Sequence, residues 1–182
     1  MLDIAVAYNR YRFLGNEFLT WIWFLIENDQ PAMRECDAEL TELTIGNRMV
    51  LENRLANGTE TVSIKGDAAG LEEALLALSK GAWITEVNLV YKSGSLEWTF
   101  SLKGESLSLS GLKLPESAAQ DSDEDIEAVV LEKLFLFEKP LTFIDALYHL
   151  FIRKRLSAKW QEGELPLMRK WMQQTNQNSQ GR

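Results

Sequence analysis

Six cations toward the C-terminal end are the residues whose type and spacing point most directly to a ligand. Arg153-Lys154-Arg155 form a run, Lys159 lies one helical turn beyond Arg155, and Arg169 and Lys170 follow on a later segment. Ammonium and guanidinium groups clustered in this way suit a phosphate backbone, where each would displace a condensed counterion. Cations at the end of a helix also complement its dipole and need no ligand, so both readings stand at this level. Trp160 and Trp171, near these cations in sequence, could stack on bases or anchor terminal helices in a core.

The charge distribution sharpens this. The 182-residue chain has a formal net charge of −8. Residues 140–182 carry seven Lys or Arg against three acids, net +4, which leaves −12 on residues 1–139. An acidic body with a basic C-terminal arm can meet a polyanion through the arm, but it does not coat nucleic acid non-specifically.

Little else in the chain could do chemistry. One His and one Cys exclude a zinc site. A magnesium site made of carboxylates alone would need Asp121-Ser122-Asp123-Glu124-Asp125, and acids placed before a helix serve equally well as solvated caps. His149 has no nameable partner base or nucleophile, and Cys36 sits between Glu35 and Asp37, acids that raise a thiol's pKa. Phosphate-binding glycine loops and nucleophile elbows are missing from the sequence. The expectation is a protein that is not an enzyme and has no catalytic residues, no metal and no cofactor.

The elements that must position the cations follow from periodicity. Residues 10–27 read as a helix, with Tyr11, Leu14, Phe18, Ile22 and Leu25 on one face. Gly15 weakens its first turns by about 1 kcal/mol relative to Ala, which suggests a close approach there. Residues 39–66 alternate as three strands, with a turn at Gly46-Asn47 and a hairpin at Asn57-Gly58 that sets Leu51 opposite Ile64. Residues 68–79 form a helix. Residues 83–112 form a three-stranded meander. A loop at Ser93-Gly94 sets Tyr91 against Leu96 and Leu89 against Trp98, and a loop at Gly104-Glu105 sets Leu102 against Leu107. Every large apolar side chain of the meander then shares one face, which a one-residue slip would reverse.

After Pro115 the chain turns small and acidic. A helix capped by Ser122 runs to about Glu138, Pro140 restarts the chain, and a further helix runs to about Trp160. A short helix spans Pro166 to Met172. The expected fold class is α+β, with antiparallel sheet built from two three-stranded blocks and packed with an N-terminal aromatic helix, a middle helix and C-terminal helices. Its parts are an α+β domain over 1–115, an acidic loop over 116–124, a helical segment over 125–172 on the same core, and a disordered tail over 173–182.

The aromatic helix is the densest feature. Arg12-Phe13-Leu14-Gly15-Asn16-Glu17-Phe18-Leu19-Thr20-Trp21-Ile22-Trp23-Phe24 holds three Phe and two Trp. Its apolar arc is wider than one core stripe, so Phe13, Phe18, Trp21, Trp23 and Phe24 are expected either in a core covered on several sides or at an interface. Its longest apolar run, nine residues, rises about 13.5 Å as a helix, far short of a membrane span of roughly 30 Å. The N-terminus shows no secretion signal. No membrane association and a cytoplasmic location are therefore expected.

This string resembles a segment from the later part of longer proteins of the RdgC (recombination-associated) family, and Leu112-Lys113-Leu114-Pro115 at the end of the meander is compatible with it. The resemblance covers most of this chain and part of a full-length family member. It implies a non-enzymatic, bacterial nucleoid protein that binds double-stranded DNA, influences recombination and works as a ring-shaped homo-oligomer or with a companion chain. None of the aromatic residues carries over as a DNA contact, so Arg153, Lys154, Arg155, Lys159, Arg169 and Lys170 are the nucleic-acid-binding candidates on charge alone. The alternative is a protein-interaction module or oligomeric structural protein that uses the aromatic helix without binding DNA.

Overall fold

The computed structural model describes residues 13–55, 58–116 and 126–178. The acidic segment 117–125, with the Asp121–Asp125 carboxylates and the Ser122 cap, lies outside them, as do residues 1–12 and 179–182. The elements run α1 (Phe13–Asn28), a 3₁₀ turn (Gln30–Glu35), β1 (Leu40–Leu55), β2 (Gly58–Lys65), α2 (Ala68–Ser79), β3 (Trp83–Ser93), β4 (Leu96–Lys103), β5 (Leu109–Lys113), α3 (Ile126–Arg155), a π turn (Trp160–Glu164) and α4 (Leu165–Asn178). The fold is α+β: a curled five-stranded sheet in the order β2-β1-β3-β4-β5, antiparallel throughout. One of its faces is covered by helices, the usual arrangement for an antiparallel sheet.

The face assignment of the meander is as the alternation requires. Val87, Leu89, Tyr91, Trp98, Phe100 and Leu102 are all fully buried. The register, however, is slid by two residues at each hairpin. Tyr91 pairs with Trp98 and Leu89 with Phe100, because Gly94, at φ 59°, opens the first turn and Ser93 still pairs with Leu96. Leu102 pairs with Leu109 rather than Leu107, which sits before β5 at φ 51°. The turn does include Gly104 and Glu105, but it is wider than two residues: Gly104 to Ser106 form it, the Lys103 N–H donates to the Ser108 carbonyl, and the Gly104 N–H donates to the Thr85 carbonyl. The β1–β2 hairpin is displaced in the same way, with Leu51 opposite Val62 and Met49 opposite Ile64. A two-residue displacement preserves the face, so the core survives the error.

Two elements differ in kind. Gly46-Asn47 is a bulge and not a turn, so β1 is one strand of 16 residues and the first block has two strands. Residues 46–48 bulge against Asn88, whose Oδ1 accepts from the Asn47 N–H and whose amide donates to Ser101 Oγ. A Cβ on Gly46 would collide with that same Oδ1. Pro140, expected to separate two helices, lies inside the continuous 30-residue α3. Proline removes the N–H that would bond the carbonyl four residues back. That carbonyl belongs to Leu136, and the buried Trp98 indole Nε1–H donates to it at 2.7 Å. At the C-terminus, α4 runs on to Asn178, six residues past the point where the sequence ends it.

Gly15 does mark a close approach. A Cβ there would run into the Gly104 carbonyl, so α1 crosses the β4–β5 connection backbone to backbone. Gly15→Ala improves helix propensity by about 1 kcal/mol, but the overpacking costs about 1–3 kcal/mol. The expected result is a lower thermal midpoint, and a raised midpoint would refute the contact.

Candidate nucleic-acid interface

The six candidate cations divide into two groups of three. Arg153, Lys154 and Arg155 close the last turn of α3, where they complement the helix dipole. Each also has an acidic partner. Arg153 Nη2 meets Glu35 Oε2 at 2.9 Å, Lys154 Nζ meets Glu164 Oε1 at 2.7 Å, and Arg155 Nε meets Glu17 Oε2 at 2.9 Å. Lys154 also lies 5.9 Å from the Trp21 ring centroid, and the Arg155 guanidinium 5.4 Å from that of Trp160. Glu164 accepts a second bond, from Trp21 Nε1 at 3.2 Å. Lys154 and Arg155 are therefore part of the packing that holds α3 and the π turn against α1.

The Arg153–Glu35 pair is different, because its side chains are 70% and 64% exposed. Such a pair contributes little stability and exchanges readily for another anion. Lys159, Arg169 and Lys170 are exposed, and no ion pair among the described residues engages them. Four cations, Arg153, Lys159, Arg169 and Lys170, are thus presented to solvent. The acids Glu17 and Glu35 lie more than 100 residues from their partners in sequence, so no local pattern could reveal the pairing.

The aromatic residues sit inside the chain. Phe18, Trp21, Trp23 and Phe24 are buried, and Phe13 is half-buried. Phe18 packs edge-on to Tyr148 at 5.1 Å between ring centroids, and Trp21 packs on Phe151 at 5.5 Å. Trp171 meets Trp23 and Phe24 at 5.2 and 5.7 Å. Trp160 is fully buried against Phe151. Trp160 and Trp171 are therefore anchors of the terminal helices in this structure. A partner reaching the aromatic helix would first have to displace α3 or α4.

His149 is on the open surface of α3, its Nδ1 2.9 Å from the Asp145 carbonyl. Burial, then Glu35, raise the Cys36 thiol above its ordinary value, against a smaller opposing effect of Arg153, so it stays protonated at neutral pH. Among the described residues no group of three or more metal-ligating side chains comes together, and no helix is long and apolar enough to cross a membrane.

Asp37 is a heavily engaged carboxylate. Its Oδ2 accepts from Tyr91 and Ser93 hydroxyls, each at 2.6 Å, and its Oδ1 from the Glu39 N–H at 3.0 Å and Lys139 Nζ at 3.3 Å. Burial alone would raise its pKa. The bonds from Ser93, Tyr91 and Glu39 and the Lys139 charge together outweigh that and hold it below 3.8. Burial and the Asp37 carboxylate raise the Tyr91 hydroxyl well above its ordinary range, so it remains a donor.

No known protein-family model matches this chain, and no curated protein matches it at a significant level.

Because the folded-state pKa of Asp37 is depressed, its contribution to stability is fully present above the ordinary carboxylate range. It is lost as pH falls through the lowered value. Asp37→Asn should cost about 1–3 kcal/mol at neutral pH. Unfolding titrations should show wild type and variant converging as pH drops below about 4. A gap independent of pH would contradict the ionised cluster.

Proposed function

We propose that this chain is a non-enzymatic DNA-binding protein of the recombination-associated, RdgC-like kind, which holds duplex DNA by its phosphate backbone through Arg153, Lys159, Arg169 and Lys170. It would act in the cytoplasm, at the nucleoid. The observation that carries the reading is the exposure of these four cations on the α3–α4 end of an otherwise acidic molecule. The likeness of the α1 string to that family adds to it. Lys154 and Arg155 are weaker candidates, since phosphate would have to compete with Glu164 and Glu17 at partly buried sites. Contacts of this type position a duplex and carry no sequence information.

A second reading, an interaction module or oligomeric structural protein that does not bind DNA, is favoured by a different observation. The N-terminal half of α3 exposes a run of large apolar side chains, and such patches mark association surfaces. In this reading α1, which is covered by α3 and α4, is the support and α3 the contact.

Binding of a fluorescent duplex across a salt series tests the first reading. Affinity should fall steeply with salt, each neutralised phosphate adding about −0.9 to the slope of log affinity against log salt. The triple change Lys159→Ala, Arg169→Ala and Lys170→Ala should weaken binding equally for unrelated sequences and flatten the slope by up to about 2.7. Arg155→Ala should lower the thermal midpoint as well, since it frees Glu17. Absence of salt-sensitive binding at low ionic strength would remove the DNA reading and leave the interaction module.

A further inference from the structure

The first ten residues of α3, 126–135, include no buried side chain; Leu136 is the first. Over the same stretch and the turn beyond it, Ile126, Val130, Leu131, Leu134, Phe135, Phe137 and Leu141 are between 39 and 81% exposed. One side of this stretch is thus apolar and left open by the described residues. An isolated helix of that length is marginal in water, and its exposed face is of the kind that packing normally covers.

At 100° per residue, Ile126, Val130, Leu134, Phe137 and Leu141 fall within an arc of about 80°. Leu131 and Phe135 widen it on one side. At roughly 200 Å² for a large apolar residue fully exposed, the exposed parts of the seven come to about 800 Å². That exceeds the largest patch on a typical monomer, roughly 300–600 Å². The five residues within the arc account for about 550 Å² of the total, which is the apolar share, roughly 65%, of the roughly 800 Å² that each partner contributes to a standard homodimer-type interface.

The spacing indicates what covers it. Val130, Leu134, Phe137 and Leu141 are separated by four, three and four residues, the alternation of a coiled-coil seam. That spacing reads the same in both directions. A two-fold axis between residues 135 and 136 therefore brings Val130 of one chain level with Leu141 of the other, and Leu134 level with Phe137, each layer apolar on apolar. The bodies, attached at the C-terminal halves of the two helices, would lie at opposite ends of the pair.

We propose that the exposed stripe of α3 docks against the same stripe of a second copy of this chain, antiparallel, forming a homodimer. This is independent of the DNA reading, because the stripe and the four exposed cations lie on different residues.

Sedimentation velocity of the full chain, without DNA and over a wide concentration range, provides the test. Wild type should sediment as a dimer. Leu134→Glu with Phe137→Glu should give a folded monomer with an unchanged circular dichroism spectrum and a thermal midpoint that no longer depends on protein concentration, since both side chains are already half exposed in the single chain. Arrangement is read by oxidative cross-linking in a Cys36→Ser background. Val130→Cys combined with Leu141→Cys should give a covalent dimer, whereas Val130→Cys alone should not, since antiparallel pairing sets residue 130 of one copy about 16 Å along the helix axis from residue 130 of the other. A wild-type monomer at every concentration, or a dimer indifferent to the double Glu change, would overturn the proposal. Efficient cross-linking by Val130→Cys alone would overturn the antiparallel arrangement.

Discussion

The hydrogen bond from Trp98 Nε1 to the Leu136 carbonyl is the contact on which the rest of the molecule's arrangement turns. Pro140 cannot supply the N–H that this carbonyl would receive in a regular helix. An orphaned buried carbonyl costs about 1–3 kcal/mol, so α3 could cross the sheet at this point only if something else donates. Trp98, on β4 and fully buried, does so. Two further links sit beside it. Phe143 stacks on Tyr91 at 4.4 Å, with Tyr91 in turn stacked on Trp98, and Lys139 reaches the Asp37 cluster. Three residues on two successive turns of α3, at 136, 139 and 143, are thereby tied to the sheet and to the segment before β1.

Docking α3 at its middle gives its two ends different fates. C-terminal to Pro140 the helix closes over the aromatic face of α1, and Phe151 packs between Phe18, Trp21 and Trp160. The cations of the last turn then land beside Glu17, Glu35 and Glu164, which remove two of them from easy use. N-terminal to the docking point nothing of the described chain buries the helix, and its apolar side chains stand in solvent. The aromatic helix is the interior of the protein and α3 carries its exposed surfaces, apolar at one end and cationic at the other.

What could be read from the amino-acid sequence was whatever depends on period and on neighbours. The alternation of Val87, Leu89, Tyr91, Trp98, Phe100 and Leu102 assigns them to one face, and that face is the core. The span of α2 and the tight packing at Gly15 were legible for the same reason. Registers were not, because a glycine marks a turn but leaves open which neighbours complete it. Gly94 shifts one hairpin by two residues, and the Gly104 contacts with Thr85 and α1 shift the next. The bulge at Gly46-Asn47 depends on Asn88, and the unbroken helix through Pro140 depends on Trp98. Both partners lie about 40 residues away. The division of the six cations depends in part on Glu17, 138 residues from Arg155, for which no local periodicity exists. In each case a long-range polar partner overrides a local signal.

A double-mutant cycle on Trp98 and Pro140 addresses the central interaction directly. Trp98→Phe in the natural background leaves the Leu136 carbonyl without a donor. In a Pro140→Ala background the restored N–H at position 140 satisfies it. The stability lost through Trp98→Phe, measured by denaturant unfolding, should be smaller by about 1 kcal/mol or more when residue 140 is Ala. Packing losses common to both backgrounds cancel in the comparison. Equal losses in the two backgrounds, within about 0.5 kcal/mol, would mean that the indole does not replace the missing helical donor, and the docking of α3 would need another cause.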